Sequence, residues 1–127
     1  MTDLEINRLA DTVRQTAFEI YKFHRHGHLE KIYENALGHR LRKLGLHVEQ
    51  QFPMTVFDED GTVLGDYFVD LLVERQLVVE IKAADCIANA HIAQVLGYLR
   101  SSRFEHGLLI NFGAERFRIR KLKLDAI

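Results

Sequence analysis

The spacing of apolar residues predicts two helices at the start of the chain. From about residue 3 to 24, apolar side chains recur at helical spacing, and His26-Gly27 ends this pattern. A second helical pattern runs from about 28 to 44, and Gly45 stands where a helix-ending glycine is expected. The apolar positions are Leu9, Val13, Phe18, Ile20 and Tyr21 in the first helix, and Leu29, Ile32, Tyr33, Ala36, Leu37, Leu41 and Leu44 in the second.

After residue 46 the period changes to two, which is typical of strands. The remaining predicted elements are a strand region at 47–57 with a break at Pro53, strands at 62–73 and 77–82, a helix at about 88–101, and strands at 107–112 and 116–123. The order ααβββαββ predicts an α/β fold with a mixed central sheet flanked by helices. With no linker or repeat, the chain is expected to form a single domain over residues 1–127.

The hairpin formed by the second and third strands carries paired acids. If residues 74–76 form the turn and Val73 pairs with Leu77, Asp70 lies opposite Glu80. Directly opposed side chains point to the same face, with Cβ atoms roughly 4.5–5.5 Å apart. Two carboxylates that close repel each other unless a cation lies between them. Hard oxygen ligands suit Mg²⁺ or Mn²⁺.

Lys82 follows Glu80 by two residues and therefore shares the acidic face. Phosphodiester hydrolysis needs a metal that activates water, and a cation near the negative charge that develops on the phosphate. Asp70, Glu80 and the Ile81 carbonyl can hold the metal, while Lys82 orients or deprotonates water and stabilises charge. The alternative interpretation is a simple cross-strand ion pair between Lys82 and the two acids. The opposite, apolar face predicts a core formed by Tyr67, Val69, Leu71, Val73, Val79 and Ile81.

The net charge of the chain is close to neutral, but one stretch near its end is basic. The chain has 127 residues, a net charge of −1 and a pI of about 6.6, which is not typical of a protein that coats nucleic acid. A basic stretch near the end contains Arg116, Arg118, Arg120, Lys121 and Lys123. On a strand the three arginines share one face, which either contacts phosphates or is a solvated edge that resists aggregation.

Asp70 followed by Glu80-Ile81-Lys82 resembles the D…(D/E)-X-K signature of the PD-(D/E)XK nuclease superfamily, although Val69 stands where a proline is usual. The stretch from Gly27 to Tyr33, with Glu30 between them, resembles the GxxExxY motif of a family of small prokaryotic proteins in this superfamily. The resemblance extends from about residue 5 to 124. It implies a restriction-endonuclease-like fold.

The resemblance also implies roles for further residues. In nucleases of the RecB and lambda-exonuclease kind, a helix ahead of the sheet supplies a metal-binding glutamate, and Glu30 matches that position. Gln94 and Tyr98 match a Q-x-x-x-Y motif on the following helix, and His91 lies beside them on the same helical stripe. Tyr33, in the GxxExxY motif, is also expected at the cleft. The alternative for Gln94 and Tyr98 is a polar pair at the border of the core.

The leading functional hypothesis is a Mg²⁺-dependent nuclease that hydrolyses phosphodiester bonds, with DNA as the expected substrate. The alternatives are a nuclease-fold module that binds nucleic acid or a protein partner without cutting, and a hydrolase of smaller phosphate esters. The neutral pI and small size also fit an enzyme that needs a homo-oligomer or a partner to hold its substrate.

The remaining features concern location. No apolar run approaches the roughly 20 residues that span a bilayer, and the acidic N-terminus does not resemble a signal peptide. The single cysteine, Cys86, fits a reducing compartment and is expected to be a buried thiol. These features predict a cytoplasmic protein without a membrane partner.

Overall fold

The computed structural model describes residues 1–124. The predicted domain span of 1–127 includes residues 125–127, which lie outside the described residues. In chain order the elements are α1 (Asp3–His24), α2 (Glu30–Lys43), β1 (Val48–Phe57), β2 (Val63–Val73), β3 (Leu77–Lys82), α3 (Asn89–Ser101), β4 (His106–Asn111) and β5 (Arg118–Lys123).

One five-stranded sheet, ordered β1-β2-β3-β4-β5, forms the centre of the fold. Neighbouring strands are antiparallel except β3 and β4, which are parallel and are joined by α3. The helices α1 and α2 pack on one face and α3 on the other, so each face has its own hydrophobic cluster. The predicted mixed α/β fold and its order of elements are confirmed.

The β2–β3 hairpin has the register predicted from the sequence. Val73 pairs with Leu77 and Leu71 with Val79, which leaves Asp70 and Glu80 as the next opposed positions. The turn places two consecutive non-glycine residues, Glu74 and Arg75, at positive φ. Beyond the pair of Leu71 and Val79, β2 and β3 are no longer joined by hydrogen bonds between their backbones, and side-chain hydrogen bonds link them instead.

The prediction of one continuous apolar face on this hairpin is wrong before Asp70. Leu71 packs in the cluster with α1 and α2, whereas Val69 and Tyr67 pack against α3. The alternation of side chains between the two faces is interrupted where Gln51 of β1 lies opposite Asp70 of β2. Gln51 has a φ of 53°, and Gln51 and Asp70 are not paired although the residues on either side are. Because a left-handed residue reorients the strand, the residues on either side of it face opposite layers.

Pro53 does not break β1 as expected. It pairs with Phe68 inside an edge strand, where a missing N–H is tolerated. The irregularity lies two residues earlier, at Gln51.

Three further expectations are corrected by the structure. The helix α2 begins at Glu30 rather than at 28, and β5 begins at Arg118, so Arg116 precedes the strand. Cys86 is exposed, so the expectation of a buried thiol is wrong.

Among residues 1–124, no helix combines the length and the apolar character that a membrane crossing requires.

Candidate active site

Asp70 and Glu80 interlock where β2 and β3 part. The Asp70 N–H donates to Glu80 Oε1 at 3.0 Å, and the Ile81 N–H donates to Asp70 Oδ2 at 2.8 Å. Each carboxylate thus satisfies a backbone donor that the ladder leaves free. This exchange holds the two acids side by side at the end of the paired hairpin.

Burial makes this acidic pair electrostatically costly. Glu80 is only 4% exposed and Asp70 is half-buried. Burial, and after it the charge of Asp70, raise the pKa of Glu80 to about 8, although Lys82 opposes the shift. Burial also raises the pKa of Asp70, whose carboxylate feels the charges of Glu34 and Glu30. A bound cation would relieve this repulsion.

Lys82 ends β3 and is half-buried. It makes no ion pair within 4.0 Å among residues 1–124, so the cross-strand ion pair considered as the alternative is absent there. Its charge still favours ionised Glu80. The ammonium group therefore acts on Glu80, while no carboxylate of residues 1–124 neutralises it directly.

The helix α2 contributes two acids rather than one. Glu30 is the exposed first residue of the helix, as the resemblance implied, and its charge raises the pKa of both strand acids. Glu34, one turn later, is buried and was not predicted from the sequence to belong to the site. Its spacing of four residues from Glu30 was the available signal, because residues at i and i+4 share one helix stripe.

Gln51 links Glu34 to the acidic pair. Its Nε2 donates to Glu34 Oε1 at 2.8 Å and to Asp70 Oδ1 at 3.1 Å. The left-handed backbone of Gln51 turns this side chain into the space between helix and sheet. Gln51 was not predicted from the sequence either, because no local motif marks a left-handed glutamine.

Of the predicted site residues on α3, Tyr98 is buried and Gln94 is exposed. Tyr98 is buried and contacts the Tyr67 ring, with 4.4 Å between centroids; burial and the charges of Glu80 and Asp70 raise its pKa. Gln94 lies one turn before Tyr98 on α3 and is exposed. The charges of Glu80 and Asp70 act on Tyr98, so the structure places Tyr98 close to the acids.

The side chains of His91 and Tyr33 make contacts that stabilise the fold. The Nδ1 of His91 accepts the Ala88 N–H at 3.1 Å and so caps the start of α3. Tyr33 does not line the cleft as expected, because its ring is fully buried and stacks on Phe112 with 4.5 Å between centroids. Its hydroxyl donates to the Arg25 carbonyl and accepts the N–H of His28, which anchors the segment leading to Glu30.

The basic residues of β5 share a face with the site. Lys82 of β3 pairs with Asn111 of β4, which in turn pairs with Arg118 of β5. Glu80 and Arg120 both pair with the same residue of β4, Leu109. Neighbouring strands lie about 4.8 Å apart, so the backbone of Arg118 and Arg120 in β5 is about 10 Å from the backbone of β3.

A groove of about 440 Å³ runs along this edge of the sheet. All three arginines line it, including Arg116, which precedes β5, and Asp85 and Asn89 line the other side. Arg116, Arg118 and Arg120 are exposed. The groove therefore provides a basic surface on the β5 side of the sheet, and the acidic pair does not line it.

A clamp fixes the chain that follows Lys82. The side chain of Asn111, fully buried, accepts the Ala84 N–H at 3.1 Å and donates to the Ala84 carbonyl at 3.0 Å. The same oxygen accepts the Gly113 N–H at 3.0 Å, and the Phe112 N–H donates to the Lys82 carbonyl at 2.9 Å. The position of Lys82 therefore depends on a loop about 30 residues further along the chain.

The donor set fits a divalent metal chemically but is not assembled around one. Carboxylate oxygens suit Mg²⁺ or Mn²⁺, and the buried, mutually repelling pair of Asp70 and Glu80 favours a cation. Within residues 1–124, however, no group of three or more His, Cys, Asp or Glu side chains is arranged to hold a metal. Glu30, exposed at the helix start, must therefore move toward the pair if it is to join as a third ligand.

A family model of the PD-(D/E)XK nuclease superfamily matches residues 7–122, nearly the whole chain. The chain belongs to this superfamily. Nuclease activity is general in the superfamily, divalent metals are its typical cofactors, and nucleic acid is the substrate it implies. No curated protein matches this superfamily member.

A solved structure supports the fold. The crystal structure of SSO0001 superposes on this PD-(D/E)XK domain with a TM-score of 0.61 and 18% sequence identity. The match covers 76% of this chain and 52% of that chain, so the domain spans about half the length of its structural relative. At this identity the likeness establishes the shared fold alone.

Proposed function

We propose that this chain is a metal-dependent nuclease that hydrolyses phosphodiester bonds of DNA. One observation supports this above the others: a buried and a half-buried carboxylate interlock at the end of a hairpin, beside a lysine that makes no ion pair among residues 1–124. In a purely structural hairpin, these two backbone hydrogen bonds would have to outweigh the cost of burying two acids side by side. The proposal also includes membership of the narrower GxxExxY family and a cytoplasmic location.

The proposed roles follow from position and chemistry. Asp70 and Glu80 would hold Mg²⁺ or Mn²⁺ together with the Ile81 carbonyl, and Glu30 would join directly or through water. A metal held there would supply Lewis-acid activation of the phosphate and of a water molecule. Lys82 orients that water, helps to take its proton, and stabilises the negative charge on the phosphate. Gln51 holds Asp70 in place by linking it to Glu34.

A non-cleaving module that binds nucleic acid or a protein partner is the second candidate. The neutral pI and the open carboxylate arrangement favour it, whereas the retained set of Glu30, Asp70, Glu80 and Lys82 favours the enzyme. A homo-oligomer or a protein partner would complete the substrate cleft in either case.

The first test measures metal binding and cleavage together. Calorimetry with Mn²⁺ should show binding by the parent protein and loss of binding by Asp70→Asn, because the amide removes the ligand charge. The parent should also cut DNA with Mg²⁺ or Mn²⁺ and not with EDTA, and RNA serves as the competing substrate. Metal and nucleic-acid binding by a parent that cuts nothing would favour the module.

The basic groove gives a separate prediction about substrate contact. Replacing Arg116, Arg118 and Arg120 together by Ser should weaken DNA binding and flatten the dependence of log K on log salt, since each lost phosphate contact lowers the slope by about 0.7–0.9. Arg14→Ser, an exposed arginine on α1, is the control. An unchanged salt slope would mean that the three arginines form only a solvated edge.

A further inference from the structure

The backbone around Lys82 is held from both sides. On the side of the acids, the Ile81 N–H donates to Asp70 Oδ2 at 2.8 Å. On the other side, the Ala84 N–H donates to Asn111 Oδ1 at 3.1 Å, and the Ala84 carbonyl accepts from Asn111 Nδ2 at 3.0 Å. An acid and an amide therefore determine where the segment that carries Lys82 lies relative to the acidic pair.

The amide of Asn111 joins the segment after β3 to the segment after β4. Its Oδ1 also accepts the Gly113 N–H at 3.0 Å, and the neighbouring Phe112 N–H donates to the Lys82 carbonyl at 2.9 Å. Asn111 is completely buried, so no water can replace these hydrogen bonds when the segments separate. The joint between the two segments therefore resists movement.

The register of the sheet also places Asn111 between two cations. It pairs with Lys82 of β3 and with Arg118 of β5, and neither cation forms an ion pair among residues 1–124. An aspartate at this position would also accept the two N–H groups, but its charge would attract the ammonium group of Lys82. The amide supplies the same acceptor and a donor for the Ala84 carbonyl, and it carries no charge.

We propose that Asn111 is a positioning residue for the cleavage reaction, which fixes Lys82 beside the acidic pair and leaves its positive charge to the phosphate. This inference rests on the proposed nuclease function and adds to it a buried residue that touches neither metal nor substrate. Because Asn111 acts through the backbone that follows Lys82, its loss should slow the chemical step and leave the binding of metal and DNA nearly unchanged.

The arginine groove has a separate support, which makes this distinction measurable. The Tyr21 hydroxyl donates to the Ala114 carbonyl at 2.9 Å and also contacts the Glu115 carbonyl. The Phe117 ring packs on the Tyr21 ring with 5.3 Å between centroids. These contacts come from α1, so the segment that carries the arginines stays held when Asn111 is replaced.

The first measurement separates kcat from KM for DNA cleavage by the full chain with Mg²⁺ or Mn²⁺. Asn111→Ala should lower kcat about 10- to 100-fold, since a misplacement of about 1 Å can cost about 100-fold. KM for DNA and the affinity for Mn²⁺ should stay within about 3-fold of the parent values. Asn111→Asp keeps both acceptor contacts and therefore protects against loss of folding. Its rate relative to the parent should be low at neutral pH and rise as the pH falls, because the protonated carboxyl is neutral and donates to the Ala84 carbonyl again.

The second measurement follows Lys82 without any cleavage. The lysines are dimethylated with ¹³C, and the Lys82 signal is identified in the NMR spectrum by its absence in Lys82→Arg. Asn111→Ala should shift this signal and leave the signals of Lys22 on α1 and Lys43 on α2 unchanged. Thr16→Val is the matched control in both measurements, because it removes another buried side-chain hydrogen bond, from Thr16 Oγ1 to the Thr12 carbonyl at 2.8 Å.

Three results would each overturn the inference. They are a Lys82 signal that does not shift in Asn111→Ala, an unchanged kcat in a folded Asn111 variant, and an equal fall of kcat in Thr16→Val, which would point to a general loss of stability. A rise of KM with unchanged kcat would likewise assign Asn111 to substrate binding. A parent that neither binds nor cuts nucleic acid would refute the proposed function itself, and the lysine signal would still decide whether Asn111 positions Lys82.

Discussion

Lys82→Ala should reduce DNA cleavage by a factor on the order of 10²–10³ while the fold and Mn²⁺ binding persist. Lys82 shares the acidic face, is half-buried, and makes no ion pair among residues 1–124, so its positive charge is available to the phosphate. It cannot be a metal ligand while it carries a proton. Its loss therefore removes a contact that forms in the transition state, and the metal ligands remain.

The measurement is initial cleavage rate on DNA with Mg²⁺, alongside Mn²⁺ calorimetry and thermal unfolding. Lys43→Ala is the control, because Lys43 is exposed in the last turn of α2. Lys82→Arg separates the two roles of the side chain, since arginine keeps the charge but cannot accept the water proton. Equal cutting by parent and Lys82→Ala would identify the activity as a contaminant.

Gly113→Ala should destabilise the protein by at least about 3 kcal/mol, more than ordinary overpacking costs. A Cβ at Gly113 would lie 2.2 Å from the backbone C of Ala83 and 2.2 Å from the N of Ala84. Backbone atoms cannot rotate away as a flexible side chain can. The clamp formed by Asn111 must then open, and the strand end that carries Lys82 must shift.

Urea unfolding gives the size of this effect through the midpoint and slope. Gly65→Ala is the matched control, because a Cβ there meets nothing within 4 Å, and its stability should change by less than about 0.5 kcal/mol. If Gly113→Ala folds stably, its cleavage rate should still fall, since Lys82 is displaced. Parent-like stability and activity in Gly113→Ala would contradict the close approach of the two loops.

Several features of this protein followed from local pattern alone. Helical and alternating periods predicted every element to within a few residues, because each element needs one apolar face. The short turn at residues 74–76 determined the hairpin register, and with it the opposition of Asp70 and Glu80. Lys82 joined them because residues two apart on a strand share a face. The relative placement of these three residues was therefore predictable from the segment 70–82 alone.

Other features depended on contacts between distant parts of the chain. The left-handed Gln51 reverses the face of the β1–β2 arm and links Glu34 to Asp70 across 19 residues. Tyr33 was expected at the cleft, but stacking on Phe112 buries it. Within residues 1–124, Glu30 and the two strand acids are not arranged as a ready metal site. These outcomes depend on how helices and loops pack on the sheet, and no periodicity in one segment carries that information. The tertiary structure alone placed Gly113 against Ala83, because the two residues meet only after α3 has crossed from β3 to β4.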